Sequence, residues 1–146
     1  MKFWDSSALV GLFVQETFSE SVRSVARRDP VSTVWWGTKV ECASAFSRLE
    51  REGCLDAAQV AEAMGRMTRA AGDWTEIAPS ERLRETALRL LRVHKLRAGD
   101  ALQLAAALSA CEGYPAAVEF VCLDDRLNDA ALREGFRVVN PVASGA

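Results

Sequence analysis

Short apolar runs alternate with helical stretches along this chain, and that alternation restricts the fold more than any other feature. Lys2-Phe3-Trp4, Val31-Ser32-Thr33-Val34, Trp74-Thr75-Glu76-Ile77, Glu119-Phe120-Val121-Cys122-Leu123 and Arg137-Val138-Val139 each read as a strand. Between them, apolar residues recur at helical spacing. Ala8, Leu9, Leu12 and Phe13 form one such face, Val40, Ala43, Phe46 and Leu49 a second, and Leu83, Ala87, Leu90 and Leu91 a third. Ser6 and Ser7 are expected to cap the first helix, and Asp29-Pro30 to stop a second helix over 19–28. Gly53 should end a helix from Trp36 to Glu52. Asp56 and Gly72 should bracket the helix over 57–71, Pro79-Ser80 should open the next, and a last one should run from Leu127 to Arg133. Apolar strands alternating with helices predict an α/β domain with a parallel β-sheet flanked by α-helices on both faces. We expect one domain over 1–140 and a frayed tail over 141–146.

The stretch Leu96-Arg97-Ala98-Gly99-Asp100-Ala101-Leu102-Gln103-Leu104-Ala105-Ala106-Ala107-Leu108 reads as a buried helix with an acid at its mouth. Alanines on almost every side predict close packing all round, with Asp100 as a cap. Other acids occupy similar edges. Asp5 follows the first strand, Asp124 follows the fourth, and Glu41 lies near the start of its helix on a face shared with Ala45 and Arg48. Each has an ordinary explanation: a turn for Asp5, caps for Asp100 and Asp125, a solvated side chain for Glu41. Together they suggest a pocket beyond the carboxyl ends of the strands, where open parallel sheets bind ligands. Like charges gathered there repel unless a cation compensates, and oxygen-only ligands suit Mg²⁺ or Mn²⁺.

Composition narrows the classes. A hydrophobic share of 49% with 26% charged residues describes a globular chain. The formal net charge of −2 argues against a broad basic surface for nucleic acid. Cys42, Cys54, Cys111 and Cys122 lack C-x-x-C spacing, and His94 is the single histidine, which disfavours zinc. Cys42, Cys111 and Cys122 are expected to be buried thiols. No signal peptide or membrane-spanning run is legible, so a cytoplasmic protein is expected. His94 sits in a basic stretch and is expected at the surface. Of the adjacent Trp35 and Trp36, one is expected in the core and the other at a dimer contact. Lys39, Arg48, Arg51 and Arg97 are candidates to border the acidic pocket and hold phosphates.

These motifs resemble those of the PIN-domain ribonucleases, and within them the VapC-type toxins of bacterial toxin–antitoxin pairs. The resemblance rests on four segments in order. They are Phe3-Trp4-Asp5-Ser6-Ser7, Val40-Glu41-Cys42-Ala43 running to Leu49, Leu96 to Ala105 around Asp100, and Val121-Cys122-Leu123-Asp124-Asp125-Arg126-Leu127. Trp4 and Gly99 depart from the residues common at those places, and the Asp124-Asp125 doublet leaves the fourth acid ambiguous. The motif register favours Asp124, with Asp125 as N-cap. The resemblance implies a Mg²⁺- or Mn²⁺-dependent endoribonuclease. Asp5, Asp100 and Asp124 would hold metal, Glu41 would bind metal through water or orient the attacking water, and Ser6 and Arg48 would contact substrate. In-line hydrolysis would leave a 5′-phosphate and a 3′-hydroxyl. It further implies a homodimer restrained by a small cognate antitoxin. The rivals are a catalytically idle PIN-fold binding module and a stand-alone nuclease without antitoxin. An aspartyl-phosphate enzyme built on Asp5 is disfavoured, because Ser7 stands where that pattern wants a second acid.

Overall fold

The computed structural model describes residues 1–29 and 31–142. Among them the elements alternate as β1 (Lys2–Trp4), α1 (Ser6–Phe13), α2 (Ser19–Arg28), β2 (Ser32–Trp35), α3 (Thr38–Arg51), α4 (Ala57–Ala71), β3 (Thr75–Ile77), α5 (Glu81–Val93), α6 (Ala98–Ala110), β4 (Glu119–Val121), α7 (Asp125–Arg133) and β5 (Arg137–Val139). A short 3₁₀ turn at Pro115–Ala117, not foreseen from the sequence, precedes β4. The strands form one sheet in the order β3-β2-β1-β4-β5, all parallel.

Strand side chains alternate between faces, and this divides the core in two. Phe3, Trp35 and Phe120 face α5, α6 and α7, packing with Leu83, Leu90, Leu104 and Leu127. Trp4, Val34 and Val121 face the other way, onto Leu9, Val22, Phe46 and Met67 of α1 to α4. Helix α6 is buried nearly all round through Ala101, Gln103, Leu104, Ala105, Ala106 and Ala107, as its small residues predict.

Several local expectations need correction. Asp5, not Ser6 or Ser7, caps α1, its carboxylate accepting from the Ser7 N–H. The packed face of α3 is Thr38, Cys42 and Phe46, and Val40 is 70% exposed. On α5, Leu83, Ala87 and Leu90 turn inward while Leu91 is largely outside. Strand β4 stops at Val121, and α7 starts earlier than expected. Asp56 does cap α4, in a reciprocal capping box with Gln59, and Gly53 takes the left-handed φ of 79° that turns the chain out of α3. Pro141 is buried, while residues 143–146 of the expected frayed tail lie outside the described residues. No helix among the described residues is long and apolar enough to cross a membrane.

Candidate active site

The strand order reverses direction at β1, whose neighbours are β2 and β4. A crevice opens at the carboxyl ends of such a switch point, because the helices leaving the neighbouring strands run to opposite faces of the sheet. Asp5 lies there directly after β1, and Asp124 three residues beyond the end of β4. Glu41 and Asp100 arrive from the first turns of α3 and α6. All four line one open pocket of about 440 Å³, together with a fifth acid, Glu16, with Ser6, Ser7 and Arg48, and with the apolar Val10, Phe18, Ala45 and Leu123.

Each carboxylate is at a helix start. Asp5 and Asp124 are the N-caps of α1 and α7, Asp124 accepting from the Leu127 N–H at 3.0 Å. Asp100 is not a cap but the third residue of α6, accepting from the Arg97 N–H at 3.4 Å. Asp125 is the first residue of α7, so the cap expected of it belongs to Asp124. The positive ends of four helix dipoles therefore meet where the acids gather, and each dipole favours negative charge there.

Hydrogen bonds fix two of the acids. Glu41 Oε1 accepts from Ser6 Oγ at 3.0 Å and from Gln103 Nε2 at 2.6 Å. Gln103, 1% exposed, also donates to Thr38 Oγ1 at 2.9 Å. Gly99, in the first turn of α6, lies against the same carboxylate: a Cβ built there would stand 3.2 Å from Glu41 Oε2. The departure at Gly99 thus has a spatial reason, since a side chain would crowd Glu41. Beneath the pocket, the Cys122 thiol sits 3.5 Å from Asp5 Oδ2 and 3.5 Å from Ser7 Oγ, and Asp124 donates its N–H to the sulfur at 3.3 Å. Ser7 Oγ in turn accepts from the Leu123 N–H at 3.0 Å, tying the start of α1 to the chain leaving β4.

The electrostatics are one-sided. Among the described residues none of the four carboxylates forms an ion pair. Burial pushes Asp5 above the usual carboxylate range, and the Asp100 charge adds to it against the hydrogen bonds from Ser7 and Cys122. Burial likewise raises Glu41, with the charges of Asp5 and Asp100 adding to it, and raises Asp100, with Asp124 adding to it against the Arg97 N–H and the Arg97 and Arg126 charges. Burial and the neighbouring acids push the Cys42 thiol up to about 12, and burial beside Asp5 raises Cys122 as well, so both stay protonated. The four cysteines are free, and Cys42, Cys111 and Cys122 are buried as expected.

The donor set is oxygen-rich, and its acids outnumber the cations near them, which fits a hard divalent ion in kind. Among the described residues no three acidic, cysteine or histidine side chains converge closely enough to clasp an ion as they stand. The acids line a pocket rather than close a cage.

The other singled-out residues divide. Arg48 lies on the pocket wall and pairs with Glu52 at 3.9 Å. Lys39 pairs with Glu76 away from the pocket. Trp35 is core and Trp36 is 57% exposed. His94 is not a surface residue: its ring is buried against Glu134, Nε2 to Oε2 at 2.7 Å. Gln103, Thr38 and Ser7 were not read as site residues, because an amide in an alanine-rich run and two hydroxyls near helix starts carry no pattern of their own.

No protein-family model matches the sequence, and no curated protein matches it. Solved structures do share its architecture. A toxin–antitoxin complex from Klebsiella pneumoniae aligns with 97% of this chain and 98% of its own at 17% identity and a TM-score of 0.66. FitAcB from Neisseria gonorrhoeae aligns with 97% and 99% at 14% identity and a TM-score of 0.68. Mycobacterium tuberculosis VapC20, a Sarcin-Ricin loop cleaving toxin, aligns with 93% and 96% at 19% identity and a TM-score of 0.64. The chain has the PIN-like α/β fold, which it shares with the toxin VapC20 and with the other two structures.

Proposed function

We propose that this protein is a Mg²⁺- or Mn²⁺-dependent endoribonuclease and the toxin of a toxin–antitoxin pair. The observation that carries the reading is the convergence of Asp5, Glu41, Asp100 and Asp124, none of them ion-paired among the described residues, at the switch point of the sheet. The likeness in fold to an RNA-cleaving toxin supports the choice of substrate. In this reading Asp5, Asp100 and Asp124 hold the metal. When bound, the ion would lower the pKa of the attacking water and offset charge developing on the phosphoryl oxygens.

Glu41 is held by Ser6 and Gln103 on one oxygen, which leaves Oε2 to orient that water. Ser6 faces the pocket beside it and contacts the substrate, and Arg48 offers a cation on the same wall. Raised carboxyl pKa values in the metal-free site fall once a cation compensates the charge.

The partner is a small antitoxin whose basic tail crosses the acids, an arginine replacing the metal charge through bidentate contacts. Val10, Phe18, Ala45 and Leu123 give that tail an apolar floor beside them. The homodimer belongs to the same proposal, supported by exposed Trp36 and Val40, and the cytoplasmic setting by four free cysteines. The test is cleavage of RNA by the purified chain with Mn²⁺, with Mg²⁺ and with EDTA, followed by sequencing of the new ends. Metal-dependent cuts leaving 5′-phosphates are expected. Absence of cleavage with either metal favours the idle binding module. Cleavage without a neighbouring antitoxin gene leaves the stand-alone nuclease.

A further inference from the structure

Two arginines at the acidic end stand where their own helices disfavour a cation. Arg97 is the N-cap of α6, a place that favours Ser, Thr, Asp or Asn, and Arg126 is in the first turn of α7. Both guanidiniums stand at the positive end of a helix dipole, which disfavours a cation. Among the described residues neither forms an ion pair. Arg48 differs on both counts: it lies in the last turn of α3, where the dipole favours it, and it pairs with Glu52. Its own helix accounts for its position, whereas Arg97 and Arg126 are disfavoured by theirs and share a cavity with Asp100, Asp124 and Asp125.

Arg97 and Arg126 line a second open cavity of about 440 Å³ with Asp100, Asp124 and Asp125. Asp100 and Asp124 also belong to the wall of the acidic pocket, so the two cavities adjoin. Burial and the Asp124 charge raise the Asp100 carboxyl, and the charges of Arg97 and Arg126 pull against them, which places both guanidiniums within electrostatic reach of the site. A chain of net charge −2 with five acids in its pocket repels a polyanion, and capture requires local cations. A phosphodiester matches them: guanidinium forks bind phosphate oxygens bidentately, and helix N-termini favour the same anion.

We propose that Arg97 and Arg126 form a subsite for one backbone phosphate of the RNA, next to the phosphodiester presented to the four acids. The subsite rests on the endoribonuclease reading and adds to it the side on which the strand leaves the pocket. Contacts of this kind set register and carry no base specificity.

The test compares the parent with Arg97→Gln/Arg126→Gln and with Arg84→Gln, whose arginine pairs with Glu81 on α5. Each is assayed on one single-stranded RNA with Mn²⁺ over a series of salt concentrations. The double variant should raise KM about tenfold or more with kcat within about twofold, and its log(kcat/KM) should fall with log[salt] about 0.7 less steeply, the signature of one lost phosphate contact on a single strand. Arg84→Gln should leave KM unchanged. An unchanged KM and salt slope beside an active parent overturns the subsite alone, as does an equal rise in KM from Arg84→Gln. Unchanged KM with weakened binding of a co-expressed partner assigns the arginines to a protein surface and also overturns it. A parent that cleaves no RNA overturns the nuclease reading itself, and the subsite with it.

Discussion

Lys2 begins β1 and Asp5 directly follows its last residue, each 5% exposed, and the chain treats their charges in opposite ways. At the amino end of β1 the Lys2 ammonium lies 3.7 Å from Asp29 and 3.6 Å from Glu119, so a buried cation has two carboxylates. At the carboxyl end Asp5 has hydrogen bonds from Ser7 and Cys122 and four further acids around its pocket, Glu16 among them. A buried charge is costly unless paired, so the first arrangement minimises that cost and the second retains it. The amino end of the sheet is built to hold the fold together. The carboxyl end stores unbalanced negative charge that a cation or a basic partner can neutralise.

The sharpest break of this contrast is the charge of Asp5 itself. Asparagine caps a helix as well as aspartate, so Asp5→Asn should keep α1 and the fold while removing a metal ligand. RNA cleavage should drop by about a thousandfold, roughly 4 kcal/mol of transition-state stabilisation, and Asp100→Asn should do the same. Initial rates with saturating Mn²⁺ measure it. Undiminished cleavage by either purified variant removes that residue from the site.

Metal addition tests the same end from the other side. If the acids lack only a cation, Mn²⁺ at one hundred times its dissociation constant should stabilise the parent by about 2.7 kcal/mol, and Asp5→Asn by clearly less. Calorimetric scans with Mn²⁺ and with EDTA decide it. Superimposable scans for the parent would mean that the pocket holds no divalent ion.

Why one end was more legible in the sequence than the other follows from range. Asp5 and Asp124 sit at strand–helix junctions that local patterning marks, and Asp100 interrupts an alanine-rich helix, so the acids stand out in the chain. Gln103 looks like one polar residue in an apolar run. Its partners Thr38 and Glu41 are sixty-odd residues away, and only packing of α3 on α6 joins them. His94 was misplaced for the same reason, since Glu134 reaches it from the end of α7. The face of α3 was misjudged because Val40 is apolar yet exposed, while Thr38 is polar yet buried against Gln103. The cap of α7 was assigned one residue late, because two adjacent aspartates satisfy the same pattern.

Lys2→Met sharpens the comparison at the stable end. The apolar stem is kept, and Asp29 and Glu119 lose their shared cation. Because both carboxylates are partly exposed, the loss should be less than for a fully buried pair, about 2 kcal/mol. Urea unfolding midpoints read it. kcat on RNA should not change, since the pair lies at the far end of β1 from the acids. A loss of activity without loss of stability would contradict the division of labour between the two ends.

The smallest effect is the dependence of metal-free stability on pH, and its sign separates the two kinds of buried acid. Asp5, Glu41 and Asp100 are raised chiefly by burial, so the folded chain binds their protons more tightly than the unfolded chain does. Their contribution is fully present below the unfolded carboxylate values of about 3.9 to 4.3 and is lost as pH rises through the raised folded values. Glu134 behaves oppositely. Burial works against its charged form, but hydrogen bonds from Arg89 and His94 prevail and hold it below the usual value. Its contribution is present above an unfolded value of about 4.3 and is lost as pH falls through the lowered one. In EDTA, Asp5→Asn should therefore gain stability relative to the parent as pH rises from about 4 towards 7. Glu134→Gln should be penalised at neutral pH and converge on the parent in acid. Urea midpoints across that range test both. Parallel curves for the parent and Asp5→Asn would show that Asp5 titrates as an ordinary carboxylate, and the stored charge at this end of the sheet would then have to reside in Glu41 and Asp100 alone.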